Sequence, residues 1–187
     1  MRRIVNSTFI TLDGAVENPH LWPSLGSAAE AISLDIQTEQ LQSSDALIMG
    51  RHTYESFAAV WPTRAGNAFA DRLNAMRKYV ATTTLRDASW TNTTVIGEDA
   101  LARIEQLKQQ PGKNILQYGL GRLSFGMLER GLLDEVRLWV HPLILGRNGP
   151  RAPHFLESPP ARLRLVDQQP LANGIAILRY EVDRGAA

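Results

Sequence analysis

Residues 46–57 read Ala46-Leu47-Ile48-Met49-Gly50-Arg51-His52-Thr53-Tyr54-Glu55-Ser56-Phe57, and the fold turns on this stretch. Four consecutive apolar residues have the composition of a buried strand, and Gly50 interrupts them. Thr53 is a good N-cap, which predicts a short helix beginning at Tyr54. A strand that passes into a helix through Gly50-Arg51-His52-Thr53 gathers free main-chain N–H groups, hydroxyls and a fixed cation at one point. Those groups hold phosphate esters, so the junction is a candidate anion site. An ordinary strand–turn–helix corner with a surface arginine accounts for the same residues.

A second corner of this kind lies further along. Asn114 to Tyr118 is predicted as a strand, Gly119-Leu120-Gly121 as a glycine turn, and Arg122 to Arg130 as a helix stopped by Gly131. Two glycines let the backbone approach a pyrophosphate closely, and the helix N-terminus adds partial positive charge. The pattern is not the Rossmann fingerprint, because Ser124 stands in place of a third glycine and no acid closes a following strand.

Read together, the two corners resemble one family. Met49-Gly50-Arg51-His52-Thr53-Tyr54-Glu55-Ser56 is similar to the Met-Gly-Arg-x-Thr-aromatic-Glu-Ser motif of the dihydrofolate reductases. Other segments resemble the group of that superfamily typified by the reductase domain of the bifunctional riboflavin-biosynthesis deaminase/reductase. These are Thr11-Leu12-Asp13-Gly14, Val60-Trp61-Pro62, Leu132-Leu133-Asp134-Glu135 and Pro142-Leu143-Ile144-Leu145-Gly146, and the likeness runs from about Arg3 to about Val182.

The resemblance implies an α/β fold, a dihydrofolate-reductase-like three-layer sandwich with a mainly parallel central sheet and an antiparallel C-terminal edge hairpin. It implies NADPH as cofactor, hydride transfer to a small heterocyclic substrate such as a pterin or pyrimidine, and a homodimer. Carried onto this sequence, Gly50, Arg51, His52, Thr53, Gly119, Leu120, Gly121 and Arg122 would hold the phosphates. Thr83, Thr84 and Arg86 would take the ribose-phosphate end, and Asp13, Trp22 and Trp61 would face the substrate. Leu120 departs from the Gly-Gly or Gly-Ser common in relatives. A nucleotide-binding or sensor protein that keeps the fold without turnover is the alternative.

Composition sets outer bounds. At 187 residues the chain suits one domain, 1–187, burying about 70% of its unfolded surface. Apolar residues at 44% and charged residues at 21% are globular values, against disorder and against a membrane protein. A net charge of +1 without long blocks of either sign argues against nucleic acid. The absence of cysteine removes disulfides, thiol catalysis and thiolate metal sites. The start turns polar too early for a secretory leader, so a cytoplasmic protein is expected. His20, His52, His141 and His154 form no i, i+4 pair, and no metal site is predicted.

The remaining elements follow in order. Arg3 to Leu12 reads as a strand ending in the Asp13-Gly14 turn, whose aspartate is either plain turn chemistry or part of a ligand cleft. Residues 15–27 read as a long loop, with Trp22 as lid or structural plug. Ala28 to Leu41 reads as a helix with Ala28, Ile32, Ile36 and Leu41 inward and Ser27 with Glu30 as a capping box. In dihydrofolate reductases the analogous helix supplies a buried acid that assists protonation. Its place falls near Ser27 or near Leu34 depending on the direction of counting, and neither is a carboxylate, which speaks against folate reduction; Glu30 and Asp35 read first as exposed-face residues, with Asp35 the best candidate proton donor and bound water the alternative.

Asn67 to Arg77 predicts a second helix, and Lys78 to Thr84 a strand whose end carries Thr82, Thr83, Thr84 and, just beyond, Arg86. There the threonines are either phosphate ligands or merely strand formers. A strand at Thr93 to Ile96 and a helix at Asp99 to Gln109 come next. Asp134 and Glu135 are adjacent on a strand and face opposite ways, so they cannot serve one bond together. His141 borders the cleft motif and reads as structural. Arg147 to Pro160 is an irregular basic stretch, Ala161 to Gln168 and Ile175 to Val182 form a hairpin around Ala172-Asn173-Gly174, and residues 184–187 read as a frayed end.

Overall fold

The apolar run at 46–49 is the centre of strand β2 (Ser44–Gly50). Ala46, Leu47, Ile48 and Met49 are each at most 1% exposed, so both faces of the strand are covered and the sequence shows a run and not an alternation. The computed structural model describes residues 1–146 and 158–185, with the main chain alone at 27–30. Contacts divide the chain into two units, Met1–Ile4 with Ser33–Tyr118, and Val5–Ile32 with Gly119–Ala187.

In the first unit β2 pairs in parallel with β3 (Arg77–Ala81) and with β5 (Asn114–Tyr118), and β3 with β4 (Thr93–Ile96), in the order β4-β3-β2-β5. Parallel neighbours need crossovers. Helices α2 (Arg51–Ala58) and α3 (Ala68–Ala75) carry the chain from β2 to β3, and α4 (Ala100–Gln109) from β4 to β5. The Asn67 side chain caps α3, accepting the Ala70 N–H at 2.8 Å, and Phe69, Ala70 and Leu73 face the core. Lys78 is fully buried at the start of β3, donating to the Asn74, Met76 and Thr91 carbonyls at 2.9, 2.8 and 3.1 Å; burial depresses its pKa to about 8.

Several details differ from the sequence reading, among them the second predicted helix, which ends at Ala75 and leaves Arg77 to β3. Helix α2 begins at Arg51, three residues before Tyr54, with Gly50 in the N-cap position and no side-chain cap. Thr53 is therefore in the first turn, because the extended Gly50 (φ −76°, ψ 167°) already serves as the hinge. Strand β3 stops at Ala81: the Thr82 hydroxyl accepts the N–H groups of Thr84 at 3.2 Å and Leu85 at 3.1 Å, turning the chain where β propensity alone would extend it. Helix α1 (Ser27–Gln42) buries Ser33, Gln40 and Leu41, whereas Ile32 is 40% exposed. Residues seven and eight apart share one face after two turns, so the inward face is rotated from the predicted one. The Ser27 and Glu30 capping box, Arg147 to Glu157, and Ala186 and Ala187 lie outside the described side chains or residues.

In the second unit β1 (Ile4–Thr11) runs parallel to β6 (Glu135–His141), β6 antiparallel to β8 (Ala176–Asp183) and β8 antiparallel to β7 (Arg162–Pro170), in the order β1-β6-β8-β7. Helix α5 (Arg122–Glu129) follows the glycine turn. The predicted hairpin closes as expected: Leu171 donates to the Ile175 carbonyl at 2.8 Å, Gly174 to that of Leu171 at 3.0 Å, and Gly174 supplies the left-handed φ of 85°. Asp134 and Glu135 serve different partners, Asp134 bonding Arg184 at 2.6 Å and Glu135 bonding Arg137 and Arg179. Among the described residues no helix is long and apolar enough to cross a membrane.

Candidate functional site

In the first unit's register Gly50 stands opposite Ala81 and Met49 opposite Tyr118, so β3, β2 and β5 end level with one another. The chain leaves β2 into Arg51 and β3 into the threonine turn. Arg51 joins those two exits: its Nε donates to Glu55 Oε1 at 2.7 Å and its Nη1 to Thr84 Oγ1 at 2.7 Å. Two of its five N–H groups are thereby used, and the side chain remains 45% exposed. The structure thus brings together Arg51 and Thr84, two predicted phosphate ligands that lie just beyond the ends of different strands. His52, Thr83 and Arg86 are exposed, His52 on the same helical turn as Arg51 and the other two around Thr84.

Gly50 tests whether a ligand fits here. Its φ of −76° suits any residue, and a Cβ built on it meets nothing within 4 Å. Neither backbone strain nor packing calls for glycine here, and the adjoining first turn of α2 has no side-chain cap, a setting in which an anion is favoured. Gly121, extended at φ 170°, likewise has nothing within 4 Å of a built Cβ. Both glycines have open space where a side chain would stand.

Trp61 sits within a row of rings. Tyr118 and Phe57 are 5.2 Å apart, Phe57 and Trp61 6.3 Å, Trp61 and Phe69 4.9 Å, with the Arg64 guanidinium 5.2 Å from the Trp61 ring. The Tyr118 phenol is buried without a hydrogen-bond partner among the described residues, and burial raises its pKa, so it stays a neutral O–H group. Asp35 is solvent-exposed on α1.

In the second unit Asp13 makes its turn as the sequence suggested. Its Oδ1 accepts the Thr11 hydroxyl at 2.6 Å and its Oδ2 the Gly146 N–H at 2.8 Å. The Thr11 hydroxyl, then the Gly146 amide, hold its carboxyl below the ordinary value. Trp22 is half-buried and seated: its indole N–H donates to the Glu17 carbonyl at 3.0 Å and its ring meets that of His141 edge-on at 5.3 Å. His141 is structural, its Nδ1 2.9 Å from the Trp139 carbonyl and its ring 4.8 Å from Phe9; burial lowers its pKa.

The glycine turn is held from behind. The Gly119 carbonyl accepts Asn6 Nδ2 at 2.8 Å and the Ser124 hydroxyl at 3.3 Å, and Gly119 has a left-handed φ of 83°. Asn6 and Ser124 are both fully buried. Gly121 donates to Ser124 Oγ at 3.4 Å, and α5 then begins at Arg122, itself exposed. Leu120 points its side chain inward, 8% exposed, into an apolar hollow of about 270 Å³ lined also by Phe125, Val136, Leu138 and Leu163.

The profile of the RibD C-terminal domain matches residues 2–177. The chain belongs to the RibD C-terminal domain family. A relative of this RibD-type chain, the uncharacterized protein YyaP of Bacillus subtilis (strain 168), is 25% identical over 191 residues, spanning 96% of this chain and 94% of its own length. Among solved structures, a protein described as a riboflavin biosynthesis protein from Shewanella sp. PV-4 superposes with a TM-score of 0.68 at 15% identity, over 97% of this chain and 99% of its own. A pyrimidine reductase-like protein from Corynebacterium diphtheriae gives a TM-score of 0.67 at 15% identity, over 98% and 93% of the two chains.

The fold is therefore that of the RibD reductase domains, the dihydrofolate-reductase-like α/β architecture with its antiparallel C-terminal hairpin. As a RibD-family member the chain is homologous to oxidoreductase domains. The sequence reading gave no role to Asn6 and Glu55, which touch Gly119 and Arg51, or to Thr8, which touches Asn6. Asn6 and Thr8 lie two apart on one face of β1, but Ser7 and Thr11 are polar as well, so polarity in the strand did not single them out.

Proposed function

We propose that this protein is an NADPH-dependent reductase of a small heterocyclic compound, of pyrimidine or pterin type. What carries the reading is the junction at the end of β2, where Arg51 bonds Thr84 beside an uncapped helix start and a glycine with open space above it. Membership of the RibD C-terminal domain family supports the reaction class, and the pyrimidine reductase-like neighbour the substrate class.

On this reading Arg51, Thr83, Thr84 and Arg86 take the adenosine 2′-phosphate, while Gly50, His52, Thr53, Gly119, Leu120, Gly121 and Arg122 take the diphosphate. Asp13, Trp22 and Trp61 face the substrate. When bound, the cofactor supplies the hydride from its nicotinamide C4 to a C=N or C=O bond. The chain's own part is to orient the two reactants and exclude water. Asp35 is exposed, so any proton it delivers has solvent access; water serves equally as the source. A homodimer is part of the proposal.

The test is a melting curve with NADPH and with NADH, followed by NADPH oxidation with a panel of aminopyrimidines and dihydropterins. Stabilisation by NADPH together with turnover of one compound supports the reading. An unmoved curve at saturating NADPH overturns it. Binding without turnover would favour a nucleotide-dependent sensor, a reading to which the exposure of Asp35 lends weight.

Gly50→Ala gives a more local expectation. A methyl group meets no atom of the chain, so the unfolding free energy should fall only by the loss of a glycine N-cap, about 1 kcal/mol. If the space belongs to a phosphate, NADPH affinity should still fall about tenfold, measured by fluorescence titration.

A further inference from the structure

Resting on the cofactor reading above, the geometry points to Asn6, oriented by Thr8 and assisted by Ser124, as the residue that aims the Leu120 N–H of the glycine turn at the diphosphate of the bound dinucleotide.

The chain of contacts is short and lies wholly in the second unit. Thr8 Oγ1 donates to Asn6 Oδ1 at 2.9 Å, which fixes the amide so that its Nδ2 faces the turn. Asn6 Nδ2 then donates to the Gly119 carbonyl at 2.8 Å, and Ser124 Oγ to the same oxygen at 3.3 Å. In a trans peptide the carbonyl and the following N–H point in opposite directions. No cis peptide occurs among the described residues, so pulling the Gly119 oxygen inward turns the Leu120 N–H outward.

That N–H has no hydrogen-bond partner among the described residues, whereas the carbonyl of the same peptide has two donors. The left-handed φ of 83° at Gly119 permits this orientation, and the buried side chain of Leu120 anchors the other side of the turn in the apolar hollow. A leucine side chain is compatible with this role because the site uses its backbone and the core uses its side chain. Asn6 is thus a positioning residue: it touches the turn and not the ligand.

Asn6→Leu, nearly isosteric and without the amide, and Thr8→Val, which removes only the orienting hydroxyl, test this. Each full-length variant is titrated by calorimetry with NADPH and with adenosine 2′-phosphate, which lacks the diphosphate, at a temperature below its own melting point. The expected result is about tenfold weaker NADPH binding in Asn6→Leu and about threefold in Thr8→Val, with adenosine 2′-phosphate unchanged in both. A purely structural role would move both ligands together or only the melting point, and either result overturns the assignment, as does unchanged NADPH affinity in both variants. If Asn6→Leu does not fold, the split in Thr8→Val decides the question alone. Wild-type protein that binds neither probe overturns the cofactor reading and this inference with it.

Discussion

Arg51→Ala is expected to weaken NADPH binding roughly 10- to 100-fold while leaving NADH binding nearly unchanged, because a charged hydrogen bond is worth about 1.5–3 kcal/mol and only NADPH carries the extra phosphate. The guanidinium is suited to that phosphate by its placement. Glu55 Oε1 and Thr84 Oγ1 each hold it at 2.7 Å, so its rotamer is set before the ligand arrives and little side-chain entropy is lost on binding. With 45% of the side chain exposed, its contribution is screened by salt, and the NADPH preference should shrink as ionic strength rises. Parallel fluorescence titrations with the two dinucleotides check both points. Equal weakening of NADPH and NADH would show that Arg51 does not read the 2′-phosphate.

Glu135→Ala is expected to destabilise the fold by about 3 kcal/mol, read as a lower urea midpoint. Glu135 is 2% exposed, and its Oε1 accepts Arg137 Nε at 2.5 Å and Arg179 Nε at 3.3 Å. Arg137 and Arg179 are direct cross-strand neighbours on β6 and β8, so without the carboxylate two guanidiniums would face each other. The figure sits at the low end for opening a buried ion pair, since the Arg179 side chain is 36% exposed and water covers part of the loss.

The same site gives a pH dependence. Burial acts to raise the Glu135 pKa, but Arg137 and Arg179 together outweigh it and hold the carboxyl below its ordinary 4.5. A carboxyl with a lowered folded-state pKa adds stability above its unfolded-state value and loses it as pH falls through the folded-state value. The gap between wild type and Glu135→Ala should therefore be full near neutrality and narrow below about pH 4.5. A gap independent of pH would show that packing and not charge holds the strand pair.

The two candidate corners differ in chemistry, one charged and one neutral. On the proposed reading a cation and an exposed helix start at the β2 exit would meet the ligand directly, which favours phosphate over other anions but loses strength with salt. At the glycine turn the donors are main-chain N–H groups fixed by buried polar side chains, so their contribution depends on geometry. This difference explains why the two tests read different quantities, a cofactor preference for Arg51 and a diphosphate-specific loss for Asn6.

Much of this was legible in the linear chain, and for local reasons. The run Ala46 to Met49, strand Asn114 to Tyr118, the Gly119-Leu120-Gly121 turn and the Asn173-Gly174 hairpin were readable because apolar runs and turn residues act over a few neighbours. For the same reason the motif around Gly50-Arg51 pointed to the dihydrofolate reductases, and segments such as Thr11-Leu12-Asp13-Gly14 and Val60-Trp61-Pro62 to the riboflavin-type reductase-domain group.

What required folding was the choice among equally good local options. Thr53 could cap a helix, but Gly50 as hinge starts α2 at Arg51; three threonines could extend β3, but Thr82 turns the chain. Amphipathic spacing on α1 was too loose to say that Ser33 and Gln40 go inward while Ile32 stays out. The contacts that shape the candidate site, Arg51 to Thr84 across 33 residues and Asn6 to Gly119 across 113, leave no mark on either partner's neighbours. Local chemistry fixes which backbone shapes a segment can take, whereas a hydrogen bond between distant residues exists only once the strands between them have paired.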